Sequence, residues 1–359
     1  MTGNSRWWVF TGQDYVPRDY SDVISEIPPH RALSNTRGKN FVLDAEKYKD
    51  DETTVDLINA ALYLKRPLLV KGMTGVGKSA LADAIAYRLR LPLLSWPITS
   101  HSNLKEGLYD YDIVGHVADQ TTNPVKKGAK STADSQLHRS KPIDAFLSLK
   151  ALGTAFANQG NSPVVLLVDE LDKGDMDFPN GLLHVLESGS FEIPELIREG
   201  DTDFSIRTSF DGISENDPNS QFVEVTNQIK KNRLVKIKGG KVVCRPELLP
   251  IVVMTSNGER EFPAPFLRRC IQLDLQPPDG TKLYDIIKKH FEGLANQKGK
   301  SLESKRIDEL IRLFLENRVG KELSTDTLLN AVYMHLFAPG VKDGTLENMV
   351  SASHETKRI

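Results

Sequence analysis

Apolar residues in this chain fall into two patterns, short unbroken runs and helical repeats, and the two alternate. Pro67-Leu68-Leu69-Val70 reads as a buried strand, and Ala80, Leu81, Ala84, Ile85 and Leu89 then recur at helical spacing from Lys78 to about Leu91. An earlier helix is expected from about Thr53 to Leu64, with Val55, Ile58 and Leu62 on one face. Pro92 to Ile98 has the look of a second strand. Val164 to Val168 is a continuous apolar run, as a parallel strand buried on both faces requires, and Asp169-Glu170 close it. Ile251-Val252-Val253-Met254 is the next such run and ends in Thr255-Ser256-Asn257. Strands alternating with helices predict an α/β fold with an αβα parallel-sheet core, and ligands of such sheets bind at the carboxyl ends of the strands.

The remaining pattern divides the chain. Residues 1–50 mix Trp7, Trp8, Phe10, Tyr15 and Tyr20 with Pro17, Pro28 and Pro29, an extension expected to drape over the main domain or to offer a docking strip. Residues 51–275 form the expected core. Within it, periodicity fails from about His116 to Pro142 and again near 211–221, which read as polar surface insertions, the first of them mobile. Leu234 to Cys244 carries two alternating runs around Gly239-Gly240 and predicts a β-hairpin. From 276 to 359, three helical patterns (Leu283, Ile286, Ile287; Leu310, Ile311, Phe314; Leu328, Leu329, Val332, Leu336) predict a small all-helical domain.

Composition narrows the function classes. At 359 residues the chain exceeds the size at which a single core stops growing. Forty-six Lys and Arg against 48 Asp and Glu give a net charge of -2, which does not favour a nucleic-acid binder. Cys244 and Cys270 are the only cysteines, too few for a disulfide framework or a thiolate metal site, and the eight histidines show no paired metal-ligand spacing. The N-terminus lacks a basic start followed by an apolar core, and no stretch approaches the ~18 uninterrupted apolar residues of a membrane span. A cytoplasmic protein without a membrane span is expected.

Gly72 to Ser79, GMTGVGKS, sits between the first strand and its helix and fits GxxxxGK[ST] at every fixed position. Glycines at 72, 75 and 77 allow a tight turn, so that successive N–H groups and the helix N-terminus face phosphates. Gly72, Thr74, Gly75, Val76, Gly77, Lys78, Ser79 and Ala80 are therefore the nucleotide-binding candidates, with Lys78 as a point charge and Ser79 as a hydroxyl for magnesium. Phosphoanhydride hydrolysis also needs a held magnesium ion and an oriented water. Asp169 can hold the metal with Ser79, and Glu170 can polarise the water. Asn257 suits a hydrogen bond to that water or to the γ-phosphate, though strand-end Asn is also a common turn residue. Arg268 and Arg269 follow the proline-guided segment Pro263 to Leu267; either is a surface ion-pair former or a guanidinium acting in a neighbouring subunit's site.

Together these residues resemble the AAA+ ATPases, and more closely their MoxR-type branch, over roughly residues 50–345. GMTGVGKS resembles the family's Walker A motif and VVLLVDELDK, 164–173, its Walker B motif. Asn257 in MTSNGER resembles sensor 1, and Arg269 in FLRRC the arginine finger, with Arg268 assisting. The resemblance implies ATP and Mg2+ as ligands, a homo-hexameric ring or open spiral, a helical lid domain, and action on a protein substrate or adaptor, with a von Willebrand factor A domain protein among the candidates. It also matches the segment through Leu108-Tyr109-Asp110-Tyr111 to the family's helix-2 insert. One departure is plain: Ser324-Thr325-Asp326 stands where the family usually carries a sensor 2 arginine, and Arg318 is the nearest alternative. Thr99, at the end of the second strand, is either an ordinary strand-end residue or a restraint on Glu170.

The expected function is an ATP-hydrolysing remodeler. A nucleotide-gated scaffold with slow turnover stays open as an alternative, as does a nucleic-acid translocase using Lys230, Lys231, Arg233, Lys236, Lys238 and Lys241. Those lysines equally suit the solvated edge of a hairpin. Tyr109 and Tyr111 are open between gripping a polypeptide and packing.

Overall fold

The structure is a computed structural model that describes residues 36–122, 141–212, 223–318, 323–338 and 340–351. The aromatic positions Trp7 to Tyr20, and residues 123–140 and 213–222 of the two polar insertions, lie outside the described residues. The chain divides into two units, one comprising Leu57–Val70 and Ile85–Leu273, the other the described residues of Met1–Asp56, Lys71–Ala84 and Asp274–Ile359.

Among the described residues the strands are β1 Leu68–Lys71, β2 Leu93–Pro97, β3 Tyr109–Tyr111, β4 Leu147–Leu149, β5 Val165–Asp169, β6 Ser190–Glu192, β7 Asp203–Arg207, β8 Leu234–Lys238, β9 Lys241–Val243, β10 Ile251–Ser256 and β11 Ile271–Asp274, nearly all of their residues in the first unit. The main sheet has the order β11-β1-β10-β5-β2. β5 pairs in parallel with β10 on one side (Val165 with Ile251, Val168 with Met254) and with β2 on the other (Val165 with Leu93, Asp169 with Pro97). β5 lies inside the sheet rather than at its edge, and every side chain from 164 to 168 is buried, which accounts for the unbroken Val164–Val168 run. β11 runs in the same sense as β1, since Ile271 N–H donates to Pro67 C=O and Leu275 N–H to Lys71 C=O, four residues further along each. The fold is α/β with a mostly parallel central sheet and C-terminal helices.

Two departures from the sequence reading have clear causes. The strands flanking Gly239-Gly240 exist, and both glycines have positive φ (57° and 71°), but the strands do not pair with each other. β8 pairs antiparallel with β7, placing Val235 opposite Ile206 and Ile237 opposite Phe204 on a buried face. β9 pairs antiparallel with β6, placing Val242 opposite Phe191. Each strand buries its apolar face against a partner distant in sequence, which outweighs the local turn signal. Secondly, His116 to Thr122 is not irregular but belongs to a helix, Ile113–Thr122, none of whose residues is buried. With no buried stripe, its sequence carries no core-facing period.

The second unit is built round four helices, Gly280–Gln297, Lys305–Arg318, Thr325–Phe337 and Asp343–Ser351. Asp279 caps the first by accepting from Lys282 N–H at 2.8 Å, and Leu283, Ile287, Phe291 and Ala295 bury one stripe. Phe291 meets Tyr333 and Phe337 with ring centroids 6.1 and 6.3 Å apart. The fourth helix, beyond the three expected, adds Leu346 and Val350 to this core.

The segment before residue 56 is fastened to the first of these helices by charge. Asp285 Oδ2 accepts from the Tyr48 hydroxyl at 2.8 Å and pairs with Lys47, and burial pushes the Tyr48 phenol up to about 12. Asp51, 1% exposed, pairs with Lys282 and accepts Asp44 N–H at 2.8 Å. Removing one partner of a buried pair strands the other charge. Lys282→Ala is accordingly expected to cost about 3 kcal/mol in urea unfolding, and a loss within ~0.5 kcal/mol, the usual range for exposed surface changes, would show that the pair does not hold this segment.

Candidate active site

The Gly72–Ser79 loop belongs to the second unit. Three of its residues have positive φ, Gly72 at 153°, Gly75 at 75° and Gly77 at 105°. Space is as restrictive as backbone geometry at these positions. A Cβ on Gly72 would lie 2.8 Å from the Leu275 carbonyl oxygen, one on Gly75 2.1 Å from Ser324 Cβ, and one on Gly77 3.2 Å from the Phe41 ring. The loop is thus moulded by the C-terminal and N-terminal segments of its own unit. Thr325 N–H donates to Gly75 C=O at 3.2 Å, so the start of the helix Thr325–Phe337 sits directly on the loop.

Lys78 opens the helix Lys78–Leu89 and is buried at 7% exposure; its Nζ donates to Gly72 C=O at 2.8 Å and Met73 C=O at 2.9 Å. The ammonium is held inside the curl of the loop, where phosphate oxygens would meet it. Ser79 and Ala80 follow on the helix and are half-buried, as is Val76, while Thr74 is exposed. The loop and the helix N-terminus together present main-chain N–H groups to an anion.

Asp169, Glu170, Asn257, Arg268 and Arg269 belong to the first unit. Asp169 is the last residue of β5, and Thr255 stands one strand over on β10. The Thr255 hydroxyl donates to Asp169 Oδ1 at 2.6 Å and accepts Glu170 N–H at 2.8 Å. One buried side chain therefore fixes both acids. Glu170 is left-handed (φ 59°, ψ 48°), a conformation that costs a residue with a Cβ about 1 kcal/mol. The turn swings its carboxylate away from the strand axis, where Lys173 Nζ meets Glu170 Oε2 at 2.6 Å. That hydrogen bond raises the Lys173 pKa.

Asn257 is half-buried, and its N–H donates to Asp172 Oδ2 at 2.9 Å, an oxygen that also accepts Glu259 N–H at 3.0 Å. Arg260 donates to Gly174 C=O at 2.6 Å. The loop after β10 is thereby fastened to the turn after β5. The other Asp172 oxygen is buried with no hydrogen-bond partner among the described residues, a cost of about 1–3 kcal/mol.

The two arginines are not brought to the acids. Arg269 Nε pairs with Glu187 Oε1 at 2.6 Å, and Arg268, exposed, accepts Arg66 Nη1 at its carbonyl at 3.4 Å. Arg318 donates to Pro278 C=O at 2.8 Å and lies over the Phe314 ring, and burial lowers its pKa. The Thr99 hydroxyl is taken up by Ser102 at 3.2 Å and by His101 N–H at 3.4 Å, so Lys173, not Thr99, restrains Glu170. Tyr109 is buried and donates to Glu195 at 2.8 Å; the Tyr111 hydroxyl meets His116 Nδ1 at 2.5 Å. Both tyrosines are packed. Thr255, Asp172, Lys173 and Glu187 were not singled out in the sequence. A polar side chain following an apolar run was the available signal for Thr255.

A scan against protein-family models gives no match, and a search of curated proteins gives none. A search of solved structures finds the crystal structure of NtrX from Brucella abortus in complex with ADP, 12% identical, with a TM-score of 0.40. The alignment covers 85% of this chain and 55% of that one, so this chain spans about half the neighbour's length. The α/β fold is evident in the sheet order and parallel pairing of this chain itself.

Ser79 in the second unit carries a hydroxyl and Asp169 in the first a carboxylate, each by itself a hard oxygen of the kind Mg2+ takes. Among the described residues no group of three or more His, Cys, Asp or Glu is placed to hold a metal ion. No helix among them is long and apolar enough to cross a membrane.

Two outcomes follow. Thr255→Val keeps the shape and removes both hydrogen bonds, and is expected to cost about 1–3 kcal/mol in chemical denaturation; an unchanged stability would show that the bridge does not fix the acids. Gly75→Ala is expected to lower the melting temperature, because at φ +75° its Cβ would fall 2.1 Å from Ser324 Cβ and 2.6 Å from Ser324 Cα. An unchanged melting temperature would show that the start of the Thr325 helix gives way to the loop.

Proposed function

We propose that this protein is an ATPase of the AAA+ kind, hydrolysing ATP with magnesium and acting as an oligomer on a protein partner. The observation that carries the reading is Glu170. A glutamate forced into a left-handed turn immediately after Asp169, and fixed there by the hydroxyl that also holds Asp169, is strain placed where hydrolysis needs a carboxylate. In this reading the loop amides and Lys78 bind the phosphates, Ser79 and Asp169 hold magnesium, which neutralises phosphate charge, and Glu170 accepts a proton from the attacking water. Asn257, on a loop anchored by Asp172, orients that water or the γ-phosphate. Arg269, with Arg268 beside it, serves the nucleotide of a neighbouring subunit in a ring, a homo-hexamer by the family resemblance. Within this reading residues 51–275 form the nucleotide-binding core, 276–359 the lid, and 1–50 an extension. The MoxR-type subclass and a von Willebrand factor A domain adaptor remain part of the proposal.

A second reading, an assembly-gated switch with slow turnover, is favoured by two self-pairings. Glu170 is engaged by Lys173 and Arg269 by Glu187 within the single chain.

The test is ATP hydrolysis against protein concentration for wild type, Glu170→Gln and Arg269→Ala, alone and mixed. The specific rate is expected to rise on assembly, each variant to lose about 100-fold or more, and the mixture to regain part of the activity. A concentration-independent rate with Arg269→Ala as active as wild type would overturn the oligomeric reading.

A further inference from the structure

Arg269 does not stand alone. It lines a cavity of about 310 Å³ in the first unit together with Lys65, Arg66 and Glu187, and the remaining wall is apolar, including Pro67, Leu183 and Pro250. Three cations face one carboxylate. Only Arg269 is paired with it; Lys65 Nζ donates to the Pro246 carbonyl at 2.8 Å and Arg66 Nη1 to the Arg268 carbonyl at 3.4 Å. Neutral carbonyls orient these side chains without cancelling their charge, so the recess keeps a net charge of two positives. Apolar walls focus that field.

We propose that this recess is a polyphosphate-binding site in which Arg66 and Lys65 act alongside Arg269, and which an anion enters by displacing the Glu187 carboxylate from Arg269. The cavity has room for a di- or triphosphate group. Guanidinium groups bind its oxygens bidentately, and two approaching from different elements fix its orientation. As the source of the phosphate tail, the nucleotide carried by a second copy rests on the ATPase reading above; a free polyphosphate would satisfy the same chemistry.

The probe is inorganic pyrophosphate, titrated calorimetrically into full-length Lys78→Ala protein, in which the glycine loop is disabled. Binding is expected, weakened at least tenfold by adding Arg66→Ala and tightened severalfold by adding Glu187→Gln, since the latter removes the internal competitor. Arg66→Gln, with an unchanged melting temperature, guards against a folding defect. Unaltered binding in both the Arg66 and Glu187 variants would overturn the site. The source is then separated by hydrolysis in otherwise wild-type protein. If Arg66→Ala loses activity and regains part of it when mixed with Glu170→Gln, the phosphate belongs to a second copy. If Arg66→Ala hydrolyses ATP normally while pyrophosphate binding is lost, the ligand is a free anion. Pyrophosphate binding in a protein without any ATPase activity would leave the site standing and remove the ATPase reading.

Discussion

The hydroxyl of Thr255 bridges the last residue of β5 and the first residue beyond it, and much of the first unit is arranged so that this bridge can form. β5 and β10 must lie side by side, in parallel and in one register, for a side chain on one to meet a carboxylate on the other. The flanking residues with nothing to do with chemistry hold β5 in place, since Val165, Leu166, Leu167 and Val168 are all buried, and a one-residue slip would carry Asp169 away from the Thr255 hydroxyl. Acidic groups are admissible here only because the sheet ends. Asp169 lies at the boundary between the buried strand and the surface, and Thr255 satisfies it there without neutralising its charge.

In the second unit the governing constraint is contact rather than hydrogen bonding. The glycine loop is enclosed by Leu275, Ser324 and Phe41, and each approaches a position where a side chain would not fit. These neighbours come from opposite ends of the sequence, yet the segment before residue 56 is itself anchored on the helix Gly280–Gln297 through Asp51, Lys282, Tyr48 and Asp285. The loop therefore has a shape that depends on helices more than two hundred residues away, and a displacement of the Thr325 helix start is transmitted directly to the Gly75 carbonyl.

What could be read from the sequence was what is encoded locally. Five consecutive apolar residues have one home in an α/β protein, and β5 lies one residue from the expected position. The helical periods of Leu283 to Leu336 mark three of the four C-terminal helices, whereas Asp343–Ser351 buries only Leu346 and Val350, too few to write a period. The Gly239-Gly240 turn was legible, but the partners of its two strands were not, because Phe204 and Phe191 lie far away along the chain. The positions of the glycine loop, of Asp169 and of Glu170 could be named from spacing. The geometry around them could not, since Thr255, Lys173, Asp172 and Glu187 are ordinary residues whose meaning comes from what the fold sets beside them.

The left-handed backbone of Glu170 also limits what this position can become. Glycine would relax the turn but has no carboxylate, and asparagine, at home in that region, has no negative charge. Aspartate has both the conformational tolerance and the charge, and is one methylene shorter. The chain carries the less comfortable of its two acids here, and what it gains over aspartate is reach, which is how the Glu170 carboxylate meets Lys173. Among simple replacements, none keeps the conformation easy, the charge present and the length intact, so every exchange at this position that relaxes the backbone gives up charge or reach.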